Sequence, residues 1–411
     1  MNPIERTDEL TQQANQAALT RMFAVRPAWR NIVSAGAALN LEKYTVLHAG
    51  PPLLDKCNPP EPIRSSIMLT CLYEGWASTE AQAEALIQNG ELHLFPAQDF
   101  ACVIPLAAVI GPQSSLVEVV DTSGTVAPIW SLLSSGPPPD IRFGTRDPGC
   151  LTSMRYRDGP LKTFLLGVLN PPIDLVHLAV QGLMGGDELH LRTQAATAAL
   201  RVEIQKRAKM EGLDPAATEA VSNMLLTSPG FFLTLWMAAC RLYLSACEGV
   251  NHCSLVTRIG ANGESIGLSL GQQPDEWVTA PARPPLGARV PHQPIDTTPA
   301  GVVGDSTVVD SMGFGGQLVG SSPDILAMLL PYLPPNYESI SGEIMMGLHP
   351  AFAAFGNVRS GLDARRVELT AVTPLVNIVI LAANGLNGLI GRGSYSPPSE
   401  LFGQAVNDPR R

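Results

Sequence analysis

Two stretches of the chain, residues 100–117 and 369–391, carry no formal charge, and they constrain the fold more than any single motif. Uncharged runs of this length either cross a bilayer or lie in a protein core. Pro105 and the Gly111-Pro112 pair interrupt the first; Pro374, Asn377, Asn384, Asn387 and three glycines interrupt the second. Neither offers an unbroken apolar span, so both are expected to form buried strands joined by glycine turns. Apolar residues make up 45% of the 411, enough for cores in two or three domains.

The flanking pattern predicts an α/β and α+β architecture. Residues 1–22 form a polar leading helix. Residues 23–135 alternate strand signals (Ile32-Val33, Tyr44 to His48, Leu92 to Phe95, Leu116 to Val120) with helical spacing from Ile63 to Tyr73 and from Ser78 to Asn89. Such alternation implies a parallel sheet faced by helices, a Rossmann-like domain. No G-x-G-x-x-G follows its first strand, so a dinucleotide is not expected. The Ser-, Gly- and Pro-rich stretch at 131–150 is a linker or long surface loop. Residues 151–250 are mainly helical, with Phe231 to Cys247 as a central core helix. Residues 251–405 form an α+β domain with glycine-rich loops, including a hairpin at Asn262-Gly263 and a buried strand from Leu375 to Leu381.

A formal net charge of −10 with no basic run excludes nucleic acid as an expected partner, because a phosphate backbone is repelled by it. The polar, acidic start MNPIERTDELTQQANQ has neither a basic nor an apolar signal region, so the expectation is a cytoplasmic protein without membrane contact. Seven scattered cysteines are read as free thiols and not a disulfide framework. His252 between Cys247 and Cys253 lacks a C-x-x-C companion, and His93, His177, His292 and His349 have no partner at ligand spacing. No metal and no cofactor are expected.

Four segments are candidates for chemistry on a small molecule. In the first, Asp187, Glu188, His190 and Arg192 place two carboxylates, an imidazole and a guanidinium within six residues. If a helix starts near Asp187, that residue caps it, Arg192 suits an anion and His190 serves as acid or base. A charged cap on an exposed turn accounts for the same residues. The second is Asp305 and Ser306 followed by Gly313, Gly315 and Gly316, a turn able to bring backbone N–H groups to an oxygen-rich ligand. The third follows the buried strand carrying Asn377, with Gly388, Gly391 and Arg392 as an anion cradle. The fourth is His48 and Gly50 at a strand end. In each of these three, tight packing or a core histidine is the competing explanation.

Read together, LHAGPP at 47–52, CLYEGWA at 71–77, GDELHLR at 186–192, SLVT at 254–257, GDS at 304–306, GFGG at 313–316, GLDARRV at 361–367 and PLVN at 374–377 form a collinear series. In this series the chain resembles the YlbE/YahG-like family of bacterial proteins, which includes the AllG subunit of oxamate carbamoyltransferase. The resemblance implies a subunit of a carbamoyl- or acyl-transfer enzyme, acting on a small amide or carboxylate with carbamoyl phosphate as the other reactant. It implies an FdrA-like partner subunit as well. His190, with Asp187 and Glu188, would be catalytic and Arg192 would grip the anion. Long apolar surfaces favour a homo-oligomer. The chain departs from the family where a His-Lys pair is expected and Ala382-Ala383 stands, and where Gln98, Asp99 and Phe100 occupy a histidine-rich neighbourhood. A non-catalytic partner or small-ligand-binding subunit of such a complex is therefore the alternative.

Overall fold

The computed structural model describes residues 3–291 and 297–407; His292 lies outside them. Its architecture is a mixture of helices and five small sheets, arranged around the helix Phe232–Ser245. That helix is mostly apolar, with Arg241 as its one charged residue, and all but two of its residues are buried, which leaves no side for water. Trp236 stacks on Phe232 and meets the rings of Phe314 and Phe352 edge-on at 5.0 and 6.0 Å. One apolar cluster runs from Ala18 through this helix to Ala405.

The strands expected within 23–135 are present, but their pairing is largely antiparallel. Pro27–Ser34 lies between Ser115–Asp121 and Ile173–Asp174, antiparallel to both, with Ile32 opposite Val117. Ser115–Asp121 also pairs antiparallel with Ile129–Leu132. The turn between those two strands is seven residues long, too short for the crossover that parallel pairing needs. Parallel pairing occurs at Thr45–His48 with His93–Pro96, and at Cys102–Val103 with Ile129–Leu132. The first encloses the helices Glu61–Tyr73 and Glu80–Gln88. Thr79, not Ser78, caps the second of these by accepting the Gln82 N–H, and Gly90 ends it at φ +68°.

The middle of the chain is helical as expected. Leu175–Met184, Gln194–Met210 and Pro215–Leu226 precede the central helix, and Pro171-Pro172 separates them from Lys162–Leu166. Beyond it, Val256–Asn262 and Ser265–Leu270 form the hairpin, with Gly263 at φ +93°. The buried strand is Val376–Leu381, antiparallel to Leu389–Tyr395. The leading helix Pro3–Ala24 is tied to the last third of the molecule through Ser254. Asn15 donates to the Ser254 hydroxyl and accepts its backbone N–H, each at 2.9 Å, and that hydroxyl donates to Asp363. Cys57 is exposed and the other six cysteines are buried and unpaired. No described helix is long and apolar enough to cross a membrane.

Candidate functional site

The segment 185–193 is a loop, not the start of a helix; the next helix begins at Gln194. Gly186 at φ +82° and Leu189 at φ +67° bend it. A left-handed conformation is costly for leucine, and Leu189 is held there by full burial and by its N–H to the Arg192 carbonyl. The fold turns the loop's polar groups inward. The Glu188 carboxylate accepts the backbone N–H of His190 at 2.8 Å and of Arg192 at 2.9 Å. Asp187 reaches across to cap the Gln194–Met210 helix, accepting the Ala196 N–H at 2.8 Å while Arg192 donates to its other oxygen at 3.2 Å. Thr193, the residue at the cap position, instead donates its hydroxyl to the Pro229 carbonyl.

His190 is 4% exposed and its Nδ1 lies 2.7 Å from the wholly buried Asp310 carboxylate. The other Asp310 oxygen accepts the N–H groups of Gly316 and Asn377. Four donors and acceptors from three parts of the chain thus fix the pair. Burial opposes the charged imidazolium, but the Asp310 charge, its hydrogen bond and Glu188 outweigh burial and raise the His190 pKa above its ordinary value. Glu188 is pushed up to about 7 by burial, against the pull of His190 and its two backbone donors. Gly315 makes the approach possible: any Cβ there would fall on Asp310 Oδ1 and crowd the His190 Cβ.

This loop forms one wall of a cavity of about 430 Å³. His190 and Arg192 come from the loop, Ser306 from the turn before the Thr307–Ser311 helix, and Arg392 from the strand Leu389–Tyr395. Arg142, from the segment 131–150, adds a third guanidinium beside Phe143. Asp324 is the one carboxylate among the lining residues; behind the wall, Asp187 pairs with Arg192 at 3.2 Å and Asp140 with Arg142 at 3.7 Å. Leu106, Leu233 and Met328 supply apolar wall, and Leu106 is a further non-glycine at positive φ. The Ser306 hydroxyl, 1% exposed, has no partner within the protein. The His190 Nδ1 is spent on Asp310, which leaves Nε2 for an occupant. A group of about this volume, polar on a few convergent points and apolar elsewhere, is what small-molecule sites look like.

The other candidate residues lie outside that cavity. Asp305 turns away from Ser306 into the core, where it accepts N–H groups from Gly50, Gln98 and Ile104; burial lifts its pKa to about 7. His48 bonds its own neighbour's carbonyl at Ala49 and is pushed down to about 4 by burial. Gly50 is a glycine because its backbone crosses that of Ala261 and Asn262. The amides of Gly313, Gly315 and Gly316 are all consumed inside the protein, by the Asp310 carbonyl, the Glu188 carbonyl and the Asp310 carboxylate. They build the His190–Asp310 pair and are not a cradle open to a ligand. Gly388 packs on Phe143 and Thr145, and Gly391 on the Ala288 carbonyl. Asn377 is fully buried, and both atoms of its side-chain amide lack a protein partner. Ala382 sits in a small apolar cluster with Ile380 and Ile390. No group of three potential metal-ligating residues exists among the described residues.

Comparison with known proteins shows the family of the chain. The chain is 29% identical over 407 residues to the oxamate carbamoyltransferase subunit AllG of Escherichia coli K12, covering 96% of each. It is 27% identical to the uncharacterized protein YahG of the same organism, covering 84% of that protein. A crystal structure of a conserved protein of unknown function from Enterococcus faecalis V583 shares the fold, with a TM-score of 0.90, 24% identity and 98% coverage of both chains. A family model described as oxamate carbamoyltransferase subunit AllG matches residues 92–306, just over half the chain and the part that holds His190, Arg192 and Ser306. The chain belongs to the AllG family, with YahG as a second relative.

Proposed function

We propose that this chain is a subunit of a carbamoyl- or acyl-transfer enzyme whose His190 cavity binds a small anionic amide or carboxylate. The observation that carries the reading is a buried carboxylate–imidazole pair opening on a cavity shared by three guanidiniums, in a protein whose formal net charge is −10. Concentrated positive charge in an acidic protein suits an anionic substrate. In transfer to an amide nitrogen, that nitrogen bonds to the carbonyl carbon of carbamoyl phosphate and loses a proton. The C–O bond to phosphate breaks and phosphate leaves with its electron pair. His190 Nε2 accepts the proton, and Asp310 stabilises the resulting imidazolium. Arg192, Arg142 and Arg392 hold the substrate's negative charge and the departing phosphate. Asp187 and Glu188 serve this site by shaping the loop, and touch no substrate.

The complex would include an FdrA-like subunit, in the cytoplasm, with this chain as a homo-oligomer. Titration of oxamate into the chain alone tests the cavity. Arg392→Ala, a change at an exposed strand position, should weaken binding by about tenfold, the value of one charge-assisted contact. Equal affinity in the two proteins would count against the cavity as the binding site.

A second reading, a subunit that binds ligand without performing chemistry, draws on the apolar surroundings of Ala382. Alanine supplies neither a proton nor a charge at a strand end where the family pattern has both. Turnover by the assembled complex that survives loss of the His190 imidazole would select this reading.

A further inference from the structure

A second cavity, of about 800 Å³, opens between the leading helix, the stretch Thr125–Ile129 and the central helix. Its charged and amide groups are Arg21, Arg241, Arg258 and Gln98, with the carboxylates of Asp99 and Glu248 beside them, and none of these touches the His190 cavity. Arg241 is 2% exposed. Only its Nη2 has a hydrogen-bond partner, Glu248 at 2.7 Å; Nε and Nη1 have none. A buried guanidinium with two idle donor nitrogens is costly to fold, because its lost hydration is not replaced. Gln98, 1% exposed, has its amide orientation fixed, since its nitrogen donates to the Ile259 carbonyl and to Asp305. Its oxygen is left as a buried acceptor with no partner. Arg258 is anchored by Asp99 at 3.1 Å and Asp275 at 2.9 Å, and its Nε is also without a hydrogen bond. The facing wall is apolar, with Ala101, Val126, Pro128 and Ile129.

We propose that this cavity is a second small-molecule site, for a carboxylate that also carries an N–H donor such as a primary amide. One oxygen of the carboxylate accepts from Arg241 Nη1, and the N–H group donates to the Gln98 oxygen. The carbon skeleton between them lies on the Val126–Ile129 wall. The site connects to the first through Asp305, which receives the Gln98 amide and precedes Ser306 in the chain.

The full-length protein is titrated calorimetrically with succinamate, which has both groups, and with succinate, which lacks the N–H donor. Succinamate should bind, and succinate should bind about tenfold more weakly because the Gln98 oxygen stays unpaired. In the Arg392→Ala background, Arg241→Gln should abolish the remaining succinamate binding. Because that buried change can impair folding, Ala127→Trp, at an exposed rim position, provides an independent block and should reduce affinity by at least about tenfold. The His190 cavity also takes a small anionic amide, so the titrations are repeated in the Arg392→Ala protein, where that cavity is weakened: succinamate should still bind this protein, and Ala127→Trp in the same background should remove that binding. A crystal of the wild-type protein grown with succinamate should show it on Arg241. No binding by the wild-type protein, complete loss of binding on Arg392→Ala alone, succinamate affinity in the Arg392→Ala background unaffected by Ala127→Trp, or ordered water alone on Arg241 would each overturn the proposal.

Discussion

At the scale of single residues, the proposed chemistry falls to His190 and Asp310, and their spacing sets a pH dependence. A base must be neutral to accept a proton. A raised His190 pKa therefore places the acid limb of the pH–rate profile above about 6.5, the ordinary imidazole value. Asp310→Asn removes the neighbouring charge and should move that limb to lower pH; a limb that stays in place would separate His190 from the rate. His349 provides an opposite case that bears on stability. It is buried among Phe23, Tyr243 and Phe352, and burial pushes its pKa down to about 3. A base with a depressed folded-state pKa stays neutral in the fold while the unfolded chain takes up a proton. Its cost thus appears as pH falls below about 6.5 and grows until about 3. Between pH 6.5 and pH 4 this amounts to roughly 3 kcal/mol. His349→Phe should flatten the acid side of a denaturation-midpoint-against-pH curve by about that amount, and an unchanged slope would refute it.

Elements explain which parts of the site were legible in the sequence. The cluster at 187–192 stood out because four ionisable types fall together, and the structure places His190 and Arg192 on the cavity. Asp310 could not be read, because its bond to His190 spans 120 positions and no local pattern marks it. Arg142 was hidden by its setting, since a Pro-rich segment reads as a linker whether or not it folds back as a wall. The glycines at 313–316 were legible as a tight turn, but their composition does not reveal that their amides are spent on Glu188 and Asp310. Strand positions in 23–135 followed from alternation, whereas pairing direction depends on which strands the short connections bring together. Asp187 shows the limit of local capping rules: it caps a helix starting seven residues later. Asp187→Ala should lower stability by about 1–2 kcal/mol, read as a shift of the urea midpoint at constant slope, and an unmoved midpoint would deny the capping role.

For the molecule as a whole, the central helix and Asp305 organise the two cavities. Asp305 ties the Gly50 turn, Gln98 and Ile104 to the turn that presents Ser306, so the sheet containing Thr45–His48 is joined to the Ser306 side of the His190 cavity. Arg142, Arg192 and Arg392 line one cavity while the chain as a whole is acidic, a distribution that favours a small anion over a polyanion. The account rests on His190 moving a proton in the transfer step. It is tested most directly by the kcat of the assembled complex carrying His190→Gln, which keeps a polar side chain of similar reach without the titrating ring. The account predicts a fall of at least about a hundredfold in kcat with little change in KM for the anionic substrate; a kcat within about twofold of wild type would contradict it.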